Sequence, residues 1–159
     1  MFNSKIKLLL LGLACLALSG CLSFGSLNYK QVKMLKKQGF VLTEEGWSLG
    51  LPEQLLFEFD EAEISSKNET LLSTLAIQLK KYNLNKLSII GHTDNVGNPT
   101  YNLTLSQKRA QSVAQIFLNN QFLPHNIVVV GRGSSQPLNT NDSDRARAEN
   151  RRVTVIITP

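Results

Sequence analysis

The stretch Lys86-Leu87-Ser88-Ile89-Ile90-Gly91-His92-Thr93-Asp94-Asn95-Val96-Gly97, KLSIIGHTDNVG, decides the fold. Residues 86–90 form a short apolar run that stops at Gly91 and a polar loop, the pattern of a buried strand. Beyond the loop, Ala110, Val113, Ala114, Phe117 and Leu118 recur at helical spacing, which predicts a helix over Thr104 to Asn119 with that face on the core. Ahead of it, Ser66 to Tyr82 reads as a second helix: Ser66 and Glu69 are spaced as a capping box, and Leu72, Leu75, Ala76 and Leu79 share one stripe. Strands are expected at Trp47 to Leu51, at Leu55 to Phe59 (which alternates in period two), at Ile127 to Val130 and at Arg152 to Thr158. The order β-α-β-α-β-β, with helices long enough to cross over, predicts an α/β (α+β) two-layer sandwich, a mixed β-sheet with helices packed on one face.

The N-terminus adds an address. Lys5 and Lys7 precede the apolar run Leu8 to Leu18, which is shorter than the roughly 20 residues needed to span a bilayer core. A basic start, a short apolar middle and small residues at the end make a secretory signal. Leu18-Ser19-Gly20-Cys21 resembles the lipobox of bacterial lipoproteins. That resemblance implies cleavage before Cys21, acylation of its sulfur and amine, and, with Leu22 rather than Asp behind it, an outer-membrane destination. Cys15 leaves with the signal, so the exported chain keeps no free thiol and no disulfide. The formal charge of +5 falls further once Lys5 and Lys7 are removed, and neither that surplus nor export suits a nucleic-acid partner.

Residues 21–28 make a short tether, and 29–45 a small helix and linker. Asn28 stands as N-cap, Val32 and Leu35 with Tyr29 and Met34 lie near one face, and Gly39 is the stop. Lys30, Lys33, Lys36 and Lys37 make a solvated face. Residues 46–159 are expected to form the one domain.

Catalysis finds few of its requirements. No Gly-x-Ser-x-Gly elbow exists, and no mature cysteine is available as a nucleophile. His92 and His125 are the only histidines, far apart and on no common helix, where zinc hydrolases need about three ligands. Gly131 to Gln136 lacks the third glycine of a dinucleotide loop and reads as a turn. No metal and no cofactor are expected. Asp94 lies just past the C-terminal end of a strand, where open α/β sheets place ligands, and Arg109 lies on the helix that follows. A carboxylate and a guanidinium so placed suit a ligand bearing one ammonium and one carboxylate, since Arg can grip a carboxylate through two parallel hydrogen bonds. Spacing alone leaves the alternative that the two simply pair with each other.

A resemblance separates these readings. GHTDNVG at 91–97, YNLTLS with Arg109, Ala110 and Val113, GRGSSQP at 131–137, and RAENRRV at 147–153 together resemble the OmpA-like peptidoglycan-binding domain, with Phe57 to Asp60 as its first strand. The match runs from Leu55 to Ile157 with its blocks in order. It implies that Asp94 takes the ammonium of the diaminopimelate in the peptidoglycan stem peptide, and Arg109 its carboxylate. Loop amides near Thr93, Asn95 and Gly97 would add hydrogen bonds, Asn102 opens the second block, and Arg151 would lie at the same cleft. His92 would orient the loop, and Arg152 would make a surface ion pair.

The N-terminal arrangement, a short tether, a small helix and GWSLGLP at 46–52, resembles a lipoprotein subgroup linked to sequestration of a periplasmic inhibitor of a membrane-bound cyclic-di-GMP synthase. Trp47, Leu49 and Leu51, with the 28–40 helix, would then be the partner surface. Three classes of function follow: a non-enzymatic peptidoglycan-binding lipoprotein tethered to the outer membrane, a signalling protein whose ligand is another periplasmic protein, and a wall hydrolase using His92 and Asp94. Monomer and homodimer are both open.

Overall fold

The computed structural model describes residues 27–57 and 61–158. The leader, the lipobox and most of the tether therefore lie outside the described residues, as do Glu58, Phe59 and Asp60. Five strands, β1 (Val41–Thr43), β2 (Gly46–Pro52), β3 (Leu87–His92), β4 (Ile127–Gly131) and β5 (Arg152–Ile157), form one sheet in the order β1-β2-β5-β3-β4. β3 and β4 run parallel and the remaining pairs antiparallel, the mixed sheet that was expected. Five α-helices accompany it among the described residues: α1 (Tyr29–Lys37), the single turn α2 (Glu53–Leu56), α3 (Ser66–Lys81), α4 (Pro99–Asn119) and α5 (Asp144–Asn150).

One core serves all of them. Leu72, Leu75, Ala76 and Leu79 of α3 and Ala110, Val113, Ala114 and Phe117 of α4 lie against Ile89, Val153, Val155 and Ile157 of the sheet. Residues expected to stand ahead of the domain belong to the same core, because α1 contributes Met34 and Leu35, the following turn contributes Phe40, and β1 pairs with β2. The turn after α1 is made by Gly39 at φ 89°, a left-handed conformation that glycine reaches without strain.

Local details depart from the sequence reading for physical reasons. No strand runs through Leu55 to Phe57: Leu56 and Phe57 are buried in succession while Leu55 is exposed, so the alternation is not obeyed and α2 forms instead. Phe57 makes only an isolated bridge to Ile64, and the rest of the expected strand falls on residues outside the description. The cap of α3 is Ser65 rather than Ser66, and no capping box forms; the Ser65 hydroxyl accepts from the Asn68 side-chain Nδ2 instead. α4 begins at Pro99, five residues before Thr104. Asn98 is its cap, accepting from the Thr100 and Tyr101 amides at 2.8 and 3.2 Å, and Pro at the first position needs no hydrogen-bond acceptor there. Ile116, not Leu118, completes the buried stripe of α4, and Tyr29 of α1 is exposed.

Two glycines set the position of α4. A Cβ on Gly91 would sit 2.0 Å from the Ser106 carbonyl oxygen, and one on Gly131 would sit 2.5 Å from the Gln107 nitrogen. The helix therefore rests on the backbone of β3 and β4 directly, and this contact places Arg109 beside the end of β3.

Candidate functional site

The loop between β3 and α4 leaves the sheet as Thr93-Asp94 and is braced from below. The Thr93 amide donates to the Gly133 carbonyl at 2.9 Å, and the Gly133 amide donates to Ser106 Oγ at 2.9 Å, so the GRGSSQP turn is a support for the loop. Buried Asn102 of α4 donates to the Val96 carbonyl at 2.9 Å and to that of Asp94 at 3.4 Å. Asp94 itself accepts from the Val96 amide at 3.0 Å. These bonds present an Asp94 carboxylate that is 9% exposed at the mouth of a cleft of about 580 Å³.

Arg109 and Arg151 line the same cleft. Asp94 and Arg109 do not pair with each other. Asp94 Oδ2 accepts from Arg151 Nη1 at 2.6 Å, Arg109 Nη2 donates to Glu53 Oε1 at 2.9 Å, and Arg151 Nε lies 3.1 Å from Glu53 Oε2. The result is an alternating row, Asp94, Arg151, Glu53, Arg109. Arg109, at 3% exposure, is further fixed by its Nε donating to the Glu61 carbonyl at 2.9 Å and by the Phe57 ring, 5.2 Å from its guanidinium carbon.

Glu53 was not singled out by the sequence, and little there marks it, since it stands between Pro52 and Gln54 ahead of two leucines. Sheet register puts it in place. Pro52 pairs with Arg152, and the Glu53 amide donates to the Arg151 carbonyl at 3.0 Å. Asn150 was missed as well, although it stands inside a quoted motif. Fully buried, it accepts from the Leu138 and Asn139 amides and donates to the Asn139 carbonyl and Asn141 Oδ1, all within 3.0 Å. Asn141 Oδ1 in turn accepts from the Asn95 amide at 3.3 Å.

Residues 56–151 match the model of the OmpA family. The chain belongs to the OmpA family. It is 35% identical over 157 residues to the outer-membrane lipoprotein YfiB of Pseudomonas aeruginosa, covering 97% of this chain and 94% of that one. That span takes in the leader and Cys21, and the chain is an outer-membrane lipoprotein. Among solved structures, a MotB-like protein from Desulfovibrio vulgaris superposes with a TM-score of 0.71 at 26% identity, over 81% of this chain and 91% of that one. The peptidoglycan-associated lipoprotein from Burkholderia pseudomallei does so with a TM-score of 0.56 at 29% identity, over 64% and 86%.

Within this OmpA-family domain the expected site residues divide. Asp94, Thr93, Gly97, Asn102, Arg109 and Arg151 line the cleft together. Asn95 is not among the lining residues, and the Thr93 and Asn95 amides are committed to Gly133 and Asn141, which corrects the expectation that these amides await a ligand. The partner surface expected at Trp47, Leu49 and Leu51 is corrected too. These three pair across β2 and β5 with the buried Ile157, Val155 and Val153 and therefore face the helices. Trp47 is 8% exposed, and Leu49 and Leu51 are half-buried against the core.

His92 departs furthest from expectation. Strand alternation turns it to the face of the sheet away from the helices, opposite Arg152 in register, where both line a separate groove with Ser48 and Thr154. Burial lowers the pKa of His92 to about 3, helped by the nearby positive charges of Arg152 and Arg132, so the imidazole is neutral. A base on one face of the sheet does not serve a carboxylate on the other. Arg152 makes no ion pair among the described residues; it donates to the Asn150 and Gln136 carbonyls at 3.1 and 3.3 Å, and burial lowers its pKa to about 10, opposed by Glu45.

Proposed function

We propose that this protein binds peptidoglycan without cleaving it, holding the zwitterionic end of the stem-peptide diaminopimelate between Asp94 and Arg109 and so tying the outer membrane to the wall. The observation that carries the reading is one cleft lined by both a nearly buried carboxylate and a nearly buried guanidinium, which stand at the two ends of an ion-pair row and have different internal partners. Asp94 would receive the ammonium and Arg109, with Arg151, the carboxylate. Each protein group already sits in a fixed, charge-complemented position, so binding exchanges internal contacts for ligand contacts with little reorganisation. The name of the peptidoglycan-associated relative supports the same ligand class. Acylated Cys21 would supply the membrane end of the tether.

Retention on purified sacculi tests it. Parent protein should be retained and Asp94→Asn and Arg109→Lys largely lost, these changes being milder than Ala because removing one partner of a buried pair costs about 3–5 kcal/mol of stability. Equal retention of all three, with melting curves unchanged, would defeat the site. Release of soluble muropeptides by the parent would revive a hydrolase.

A second reading stands beside the first, supported by similarity to YfiB over nearly the full length of both chains. In it the protein also captures a YfiR-like periplasmic partner and through it affects cyclic-di-GMP synthesis. Residues 22–45, extended, would reach on the order of 80 Å from the outer membrane. Deleting residues 29–39 should abolish partner binding and signalling, and unchanged behaviour would remove the idea.

A further inference from the structure

The two arginines of the cleft share one carboxylate. Glu53 is 9% exposed, and its two oxygens lie 2.9 Å from Arg109 Nη2 and 3.1 Å from Arg151 Nε. The second contact is at ion-pair distance but off the hydrogen-bond direction, and Oε2 is buried with no hydrogen bond among the described residues. Glu53 is therefore held less by its own bonding needs than by its place between two guanidinium groups. Neither arginine depends on it alone: Arg109 keeps the Glu61 carbonyl and the Phe57 ring, and Arg151 keeps Asp94.

The charge count follows. Among the described residues, the charged groups lining the cleft are Asp94, Glu53, Arg109 and Arg151, two of each sign. A ligand bearing one ammonium and one carboxylate enters without leaving a surplus. A ligand with a carboxylate alone leaves an extra negative charge in a poorly solvated place, and one with an ammonium alone leaves an extra positive charge, each at a penalty. Without Glu53 the balance shifts by one, and a lone carboxylate becomes the matching ligand.

We infer that Glu53 determines the charge selectivity of the cleft: standing between Arg109 and Arg151, it brings the site to neutrality and restricts it to zwitterionic stem-peptide ends. This rests on the peptidoglycan reading and assigns its selectivity to a residue that reading does not use. Glu53 is a positioning and charge-setting residue, and its signature is a ratio of affinities rather than a loss of affinity.

Calorimetric titration with three synthetic stem tripeptides, each amidated at the main-chain carboxyl of its third residue, reads that ratio. Their third residue is diaminopimelate, with both charges, 2-aminopimelate, with the carboxylate only, or lysine, with the ammonium only. The parent should prefer the first. In Glu53→Gln, affinity for the carboxylate-only peptide should rise by about tenfold or more relative to the diaminopimelate peptide, while Glu53→Asp keeps the parental order. Arg151→Gln leaves two carboxylates against Arg109 and should shift preference the other way, toward lysine. A Glu53→Gln ratio within about twofold of the parent's overturns the inference while leaving the peptidoglycan reading intact. Should Glu53→Gln fail to give a cooperative melt, Arg151→Gln decides, and a parental order there overturns it equally. A parent that does not bind the diaminopimelate peptide sinks the peptidoglycan reading and the selectivity with it.

Discussion

Buried beside two guanidinium groups, the His92 imidazole stays uncharged in the folded protein down to about pH 3, whereas in an unfolded chain it takes up a proton near pH 6.5. Between those values the unfolded chain binds the extra proton, so this residue's share of stability rises with pH and is lost as pH falls through 6.5 toward 3. Over two pH units inside that window the loss is about 2–3 kcal/mol. Urea unfolding at pH 6.5 and 4.5 should therefore show the parent losing about that much more than His92→Leu, and parallel losses would contradict it. Asn150 is the other residue whose consequence is large. Its side chain answers four polar groups around residues 138–141, and Asn150→Leu should cost about 2–4 kcal/mol through the amides left unsatisfied, read as a lowered urea midpoint. Neither role was legible in the sequence. Both depend on which face a side chain takes and on what a distant loop brings to it, whereas Asp94 and Arg109 could be found because a strand end and the next helix hold them near one another along the chain.

At the scale of elements, the contact between α4 and the sheet governs the cleft. Gly91→Ala would drive a methyl into the Ser106 carbonyl, which belongs to backbone and has little freedom to yield. The helix must lift, at a cost of about 1–3 kcal/mol or more, and because Arg109 rides on α4 while Asp94 rides on the end of β3, sacculus retention should fall together with the melting temperature. Gly97→Ala makes the contrast. Gly97 sits at φ 90° with open space around its missing Cβ, so that change should cost about 1–2 kcal/mol of backbone strain and leave α4 where it is. The elements legible in the sequence are those with a long apolar stripe, α3 and α4, those with a short apolar run, β2, β3, β4 and β5, and α1 with its Asn28 cap and Gly39 stop. β1, α2 and α5 were missed because each is short: β1 pairs along one side only, α2 is a single turn after Pro52, and α5 is a polar helix with only Asn150 buried. Glu53 was lost with α2, since reading Leu55 to Phe59 as a strand placed it in a connection rather than at the centre of an ion-pair row.

For the whole molecule, the question is what α1 is doing in the core. Leu35 is fully buried, Met34 and Phe40 nearly so, and all three lie in one cluster with α3, α4 and the sheet. A state in which residues 22–45 are extended, as partner capture at a distance requires, must expose these side chains at roughly 1.5–3 kcal/mol each, and it must also break the pairing of β1 with β2. On the partner-capture reading the closed form would be the resting state, and the extended form would be reached only when a partner binds it better by at least that difference. Leu35→Ala tests this coupling, because it removes core contacts from the closed state only. Stability should fall by about 2–5 kcal/mol, and the apparent affinity for a partner that selects the extended state should rise, while binding to sacculi, whose cleft is lined by α2, the loop after β3, α4 and Arg151, stays at the parental level. Urea unfolding, a partner pulldown and a sacculus pulldown on one preparation separate these effects. Weakened sacculus binding in a variant that still unfolds cooperatively would mean that the N-terminal helix supports the cleft itself, and that anchoring and reach are not independent.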